Sequence, residues 1–258
     1  MRMKHTRRFA EALGSWMHFE ACCFRAGLFS ESSFKAAIGS VASSLHGDHK
    51  AARVHADYPL PAIQRVPVVG EKSGGGRKKN VDFALIYDDK RMPVSEPQVL
   101  IEAKWAGSSH CTVSNLMADF VRLSLMKRAH PDAVCLFVLA GHVTNIDAVL
   151  LRRPFKGERR DTLPVDGSIS SKKFKFLHRD AEHQKAFSGL ISAFHSSNLN
   201  VPIGFSATSS GIYPPSPAKF KAIAWEVLGV EEINLSRAEW PVSKKDKSKK
   251  APVEEDIL

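Results

Sequence analysis

The segment VLIEAKW, residues 99–105, decides how this sequence folds. It opens with an uninterrupted apolar run, which is typical of strands that are covered on both faces of a sheet. Because successive side chains of a strand point to opposite faces, Glu102 and Lys104 share one face, and the alternate apolar residues share the other. Charges in such a strand are costly unless they are paired or bind something. One hypothesis is a structural Glu102–Lys104 pair, and the other is a functional site.

The segments next to this strand predict an antiparallel hairpin followed by a helix and another strand. Residues 81–87 predict a second strand, which a loop of ordinary length joins to the first. Apolar residues at helical spacing then predict a helix that begins at Thr112 or Ser114 and ends near His130. The apolar run AVCLFVLAGH, residues 133–142, predicts the most buried strand of the protein.

Two helices and a β region precede the hairpin. Helical spacing of apolar residues predicts the first helix over residues 8–28, and the second over residues 30–45 with Ser30 as its N-cap. The segment ARVHADYPL, residues 52–60, predicts a strand. These elements predict an α/β fold with a central mixed sheet flanked by helices.

The C-terminal part of the chain carries a weaker signal. We expect helices over residues 178–197 and over residues 216–230, the second opened by Pro217. The predicted domain organisation is a core over residues 1–150, a basic and mostly helical extension packed on it over residues 151–240, and a charged, disordered tail over residues 241–258.

Composition narrows the classes of partner and compartment. The 258 residues carry a net charge of +10, which favours a polyanionic partner, nucleic acid first and an acidic membrane surface second. The four cysteines form no CxxC pair, so we expect a reducing cytoplasm and no structural zinc site. Nothing resembles a signal peptide or a membrane span, and we expect no membrane association.

Three charged residues of the hairpin form the candidate site. Asp82 stands near the start of one strand, and Glu102 and Lys104 stand near the end of the next, so antiparallel pairing brings them to one end. Two carboxylates suit Mg²⁺ or Mn²⁺, with the carbonyl oxygen of Ala103 as a further ligand. Lys104 can then hold the attacking water or stabilise charge on a phosphate in the transition state.

The strands VDFALIYDD and LIEAKW resemble the Asp…(Asp/Glu)-x-Lys signature of the PD-(D/E)XK nuclease superfamily, which has the restriction-endonuclease-like fold. The order of elements over roughly residues 15–142 is similar to the α-β-β-β-α-β core of that family. The resemblance implies that Asp82 and Glu102 are metal ligands and that Lys104 is the catalytic lysine. Val81 stands in place of the proline that gives the family its name.

The family often adds an acidic residue from the first helix to this site. Glu20, within the apolar pattern of the first helix, is the candidate for that catalytic and metal-binding position, and Glu31 is its rival. A helix glutamate is usually a solvated charge, and this interpretation stays open for both residues.

Two basic segments are candidates for binding nucleic acid. The first is the glycine-rich loop EKSGGGRKKN, whose basic residues could contact phosphates or belong to a solvated linker. The second is interleaved with phenylalanines that could stack on bases or belong to the core. The candidate residues are Arg77, Lys78 and Lys79 in the first segment, and Arg152, Arg153, Arg159, Arg160, Lys172 and Lys173 in the second.

The sequence therefore predicts an Mg²⁺-dependent endonuclease that hydrolyses DNA phosphodiester bonds, with Mn²⁺ as a substitute metal. By analogy with the family, its setting is restriction, antiviral defence or DNA processing, as a homodimer or within a larger complex. One alternative is a catalytically silent DNA-binding or assembly module of the same fold. Another is an interaction protein in which Glu102 and Lys104 are a buried pair, and RNA stays open as a substrate.

Overall fold

The structure is a computed structural model. It describes residues 5–46, 52–64, 79–87, 96–152, 154–156, 162–167, 171–176, 187–191, 193–194, 199–215 and 217–231. The predicted tail over residues 241–258 lies outside these ranges, as do Arg77, Lys78, Arg153, Arg159 and Arg160.

The described part of the chain forms a seven-stranded mixed sheet with helices on its faces, and the expectation of an α/β fold is confirmed. The strands lie in the order β1-β2-β3-β4-β7-β6-β5; β3 and β4 are parallel, and every other neighbouring pair is antiparallel. The elements are α1 (His5–Cys22), α2 (Glu31–Ser43), β1 (Ala52–Pro59), β2 (Asn80–Tyr87), β3 (Pro97–Trp105), α3 (Val113–Ala129), β4 (Val134–His142), α4 (Val143–Leu150), β5 (Lys172–Lys175), β6 (Gly204–Ser209) and β7 (Phe220–Glu231).

The N-terminal elements follow the prediction closely. Ser30 caps α2, and its hydroxyl accepts a hydrogen bond from the backbone N–H of Ser33. Thr112 caps α3 in the same way, through the backbone N–H of Asn115. The first helix is shorter than predicted, because α1 ends at Cys22 and a turn follows.

The C-terminal part differs from the prediction, which was wrong about residues 216–230. Residues 220–231 form β7, and β5, β6 and β7 all join the sheet, so the described part of the extension is not mostly helical. Because β7 pairs with β4, the division at residue 150 does not correspond to a break in the sheet. The described part of residues 178–197 is helical at residues 187–191 and 193–194.

The central strands are buried on both faces, which is why the sequence of β7 does not show the alternation of a strand. Ile223 and Trp225 pack into the apolar cluster on the α3 face, while Ala222 and Ala224 pack into the cluster on the α1 and α2 face. A short apolar run that is buried on both sides has no period that separates a strand from a helix. Pro217 precedes this run, and because proline is common in the first turn of a helix, it also favours the prediction of a helix.

Asp82 lies where β2 and β3 separate. The pairing of β2 with β3 ends at Phe83 opposite Ile101. The Oδ2 atom of Asp82 accepts a hydrogen bond of 2.8 Å from the backbone N–H of Ala103, beyond the last strand pair. A buried backbone N–H needs a partner, so the carboxylate of Asp82 takes the place of a strand carbonyl there.

Candidate active site

Glu102 is a buried carboxylate in the middle of the protein. Glu102 is 1% exposed. Ile101 and Ala103 share the opposite face of β3, as predicted, and the structure packs that face on the α1 and α2 side of the core. Glu102 therefore faces α3, on the other side of the sheet. An ionised carboxylate at this depth needs a charged partner and hydrogen bonds.

Arg122 of α3 is that partner. Its Nε atom donates a hydrogen bond of 2.7 Å to Oε1 of Glu102. Burial raises the pKa of Glu102 to about 8, although the charge of Arg122 acts in the opposite direction. Negative charge on Asp119 and Asp82 raises this pKa further. Arg122 thus compensates only part of the cost of burying the charge of Glu102.

Asp119 connects Arg122 to Lys104. Its Oδ1 atom accepts a hydrogen bond from Nη2 of Arg122, and its Oδ2 atom lies 3.1 Å from Nζ of Lys104. Burial alone would lower the pKa of Lys104, but the negative charges of Asp119 and Asp82 raise it above its ordinary value. Lys104 is therefore held as an ammonium that points toward α3 rather than into bulk water.

This geometry shows that the structural Glu102–Lys104 pair was the wrong alternative. Glu102 pairs with Arg122, and Lys104 pairs with Asp119, so the two residues of β3 have separate partners on α3. We call Glu102, Arg122, Asp119 and Lys104 the α3 charge network. A structural role for this network as a whole is a different hypothesis.

Asp82 stands beside the network and is held by α2. Its Oδ1 atom accepts a hydrogen bond of 2.8 Å from Nζ of Lys35. Burial acts to lower the pKa of Lys35, but the hydrogen bond to Asp82 and the negative charges of Asp82, Glu31 and Asp57 raise it. Asp82 is also close enough to Glu102, Lys104 and Arg122 to affect the pKa of each.

The two helix glutamates occupy different places. Glu20 forms a two-pronged ion pair with Arg25 at 2.5 and 2.9 Å, and this hydrogen bond lowers the pKa of Glu20. The described contacts of Glu20 do not bring it to Asp82. The Oε1 atom of Glu31 lies 4.0 Å from Nζ of Lys35, and the same Nζ atom forms an ion pair with Asp82. Of the two candidates, the structure brings Glu31 toward the site.

Lys79, one of the described basic candidates, is close enough to the α3 charge network to be affected by it. Partial burial lowers its pKa, and the positive charge of Arg122 lowers it further. Its Nζ atom lies 4.9 Å from the centre of the Phe194 ring.

The other described basic candidates lie elsewhere. Lys172 and Lys173 are in β5, the edge strand of the sheet and the fourth strand from β3. The Nζ atom of Lys172 lies 3.7 Å from Oδ2 of Asp166, and the Nζ atom of Lys173 lies 2.8 Å from Oε1 of Glu231. Arg152 lies in the turn after α4. The phenylalanines interleaved with this second basic segment, Phe155, Phe174 and Phe176, are buried in the core and are not available for stacking on bases.

The oxygen atoms of Asp82 and Glu102 suit a hard cation such as Mg²⁺. Within the ranges that the structure describes, no three His, Cys, Asp or Glu side chains form a ready-made metal cluster. Magnesium commonly uses one or two carboxylates and keeps several waters, so these two side chains are a sufficient protein contribution. The raised pKa of Glu102 also indicates a carboxylate whose charge a nearby cation would stabilise. The residues present therefore fit such a cation.

Sequence reasoning missed Asp119, Arg122 and Lys35. Each lies on a helix beside apolar core positions, where a charged residue normally faces solvent. A spacing of three residues between Asp119 and Arg122 predicts a helix ion pair but not its burial. The one available signal was that α3 must cover the face that carries Glu102 and Lys104.

Comparison of the chain with protein-family models, with curated proteins and with solved structures gave no match. Within the described ranges, no helix has the length and apolar character that crossing a membrane requires.

Proposed function

We propose that this protein is an Mg²⁺-dependent nuclease that hydrolyses DNA phosphodiester bonds. The observation that carries the proposal is the convergence of Asp82, Glu102 and Lys104 beside the point where β2 and β3 separate. A restriction-endonuclease-like core is part of the same proposal, supported by the element order α1, α2, β1, β2, β3, α3 and β4.

Each residue has a defined part in this reaction. Asp82 and Glu102 would hold the cation, which would supply a lowered pKa of a bound water and positive charge beside the phosphate. Lys104 presents an ammonium that can orient the attacking water or stabilise negative charge in the transition state. Asp119 keeps Lys104 charged and directed, and Arg122 holds the carboxylate of Glu102. Lys35 must release Oδ1 of Asp82 before that atom binds a cation.

A catalytically silent module of the same fold is the second candidate, and one observation favours it. The three carboxylates each form an ion pair with a side chain of the protein, so their charges are balanced without a metal ion. The pairs are Asp82 with Lys35, Asp119 with Lys104, and Glu102 with Arg122. Such a balanced network can be retained for a single well-defined fold without any ligand. This candidate predicts DNA binding that does not depend on Asp82 or Lys104.

The test is a cleavage assay on supercoiled, linear and single-stranded DNA with Mg²⁺, with Mn²⁺ and with EDTA. The native protein is compared with Asp82→Ala and Lys104→Ala. Arg8→Gln is the control for loss of charge, because Arg8 is exposed and lies beside Gln98 and Val99, at the opposite end of β3 from Lys104.

The nuclease proposal predicts cleavage that requires the metal, survives Arg8→Gln and falls by about 100-fold or more in the other two variants. A folded native protein that cuts none of these substrates, and that binds DNA equally well with and without Asp82 and Lys104, would establish the silent module. An RNA substrate in the same assay separates the remaining alternative of ribonuclease activity.

A further inference from the structure

Lys79 has an environment that disfavours its charge. Although the residue is exposed, neighbouring atoms remove part of the water around its ammonium and the positive charge of Arg122 repels it, and both effects lower its pKa. Among the described residues, no carboxylate forms an ion pair with Lys79. The ring of Phe194, whose centre lies 4.9 Å from Nζ of Lys79, offsets part of this cost through a cation–π contact.

The backbone of Lys79 is nevertheless held in place. The side-chain amide of Gln64 binds it from both sides: its Nε2 atom donates to the carbonyl oxygen of Lys79, and its Oε1 atom accepts from the N–H of Lys79 at 3.3 Å. Gln64 is anchored in turn, because Nε2 also donates to the carbonyl oxygen of Leu60. A fixed backbone lowers the entropy that is lost when the ammonium binds a ligand.

Position relates this cation to the candidate active site. Lys79 directly precedes β2 and lies three residues before Asp82. It is also close enough to Arg122 to be repelled by it, and Arg122 bonds Glu102. An anion bound by Lys79 would therefore lie at the end of β2 that carries Asp82.

We propose that Lys79 binds a phosphate of the DNA backbone next to the phosphodiester at Asp82 and Glu102. The inference rests on the proposed function for its choice of anion. A phosphate oxygen supplies the negative charge that the described surroundings of Lys79 lack, and it offsets the repulsion from Arg122. The contact positions the strand and carries no base specificity.

The test measures the affinity of the full-length protein for a fluorescently labelled DNA duplex across a series of salt concentrations. EDTA is present so that binding is separated from cleavage, and Ca²⁺ replaces EDTA in a parallel series. The variants are Lys79→Gln, Lys79→Arg and the control Arg8→Gln, which removes one positive charge at the opposite end of β3. Circular dichroism and the melting temperature show that each variant is folded.

For Lys79→Gln we expect affinity to fall about threefold to tenfold at moderate salt, and the slope of log K against log salt concentration to become smaller by about 0.9. Lys79→Arg should retain the native slope, and Arg8→Gln should leave both quantities near native. An unchanged slope in Lys79→Gln overturns the proposal, and so does an equal loss in Arg8→Gln, which would indicate a general charge effect.

The outcome is independent of catalysis. A protein that cleaves DNA with an unchanged salt slope in Lys79→Gln would disprove the Lys79 contact and leave the proposed function standing. A smaller salt slope in Lys79→Gln, in a protein that cleaves no DNA, would support the Lys79 contact within a silent module. A native protein that does not bind the duplex in either series overturns the Lys79 contact, while the cleavage assay still decides the proposed function.

Discussion

Arg122 and Glu102 form a hydrogen-bonded ion pair of 2.7 Å between α3 and β3, with the carboxylate buried in the core. The pair joins the helix to the strand at the point where the candidate catalytic residues lie. Its interruption should therefore affect folding as well as function, and the two effects can be separated by the choice of variant.

Measured above pH 8, where Glu102 is ionised, Arg122→Met should destabilise the protein by about 3–5 kcal/mol, because it leaves the buried carboxylate of Glu102 without its partner. Adding Glu102→Gln should restore part of this loss, since the unpaired charge is then absent. Urea titration of the single and double variants measures both changes. Losses in the double variant equal to the sum of the two single variants would show that the pair does not couple.

Stability of the metal-free protein should fall as pH rises from about 4.5 to about 8. The ordinary pKa of 4.5 for Glu102 is raised to about 8 in the folded state, mainly by burial. Between pH 4.5 and pH 8 the folded protein keeps a proton on Glu102 that the unfolded chain has released. The stabilisation from this proton is therefore fully present below the unfolded pKa of 4.5 and is lost as the pH rises through the folded pKa of about 8. Burial also raises the pKa of Asp119, which acts in the same direction.

Glu102→Gln should flatten this dependence, because the variant has no proton to release at that position. The measurement is the free energy of unfolding in EDTA at several pH values between about 4.5 and 8.5. Arg122, Asp119 and Asp82 face the same carboxyl group and remain in the variant. Equal slopes in the native protein and the variant would contradict the assignment to Glu102.

Lys35→Met should strengthen Mn²⁺ binding by about fivefold to tenfold. The ammonium lies 2.8 Å from Oδ1 of Asp82 and competes with any cation for that oxygen, and even in water two unit charges at 4 Å interact by about 1 kcal/mol. Lys173→Met is the matched control, since it breaks a lysine–carboxylate pair of equal length with Glu231 at the other edge of the sheet. Titration followed by electron paramagnetic resonance of free Mn²⁺ measures the affinity. Weaker Mn²⁺ binding in Lys35→Met than in the native protein would contradict the competition between Lys35 and the cation for Asp82.

Two glycines in helices should respond in opposite directions to alanine. A Cβ atom at Gly14 of α1 would lie 2.6 Å from the backbone oxygen of Tyr213, which cannot move aside as a side chain can, so Gly14→Ala should cost about 1–3 kcal/mol. At Gly39 of α2 the nearest atom is 3.7 Å away, in the ring of Phe83, so Gly39→Ala should stabilise the protein by about 0.5–1 kcal/mol. Thermal unfolding of both variants tests the packing of α1 against this backbone.

Local patterns in the sequence were sufficient for much of the fold. Ser30 and Thr112 mark the starts of α2 and α3, because a side chain that caps its own helix acts over a few residues. The alternation in β3 separates Glu102 and Lys104 from Ile101 and Ala103, since strand geometry alone sets the faces. The antiparallel pairing of β2 with β3 follows from their short connection.

Tertiary structure decided what those patterns could not. β7 became a strand because it is hydrogen-bonded between β4 and β6 and buried on both faces, a setting that comes from distant parts of the chain. Asp119 and Arg122 became partners of Lys104 and Glu102 only when α3 packed across β3 and turned that helix face inward. The sequence determined which charges β3 presents, whereas long-range packing determined which charges meet them, because burial and pairing depend on residues that are remote along the chain.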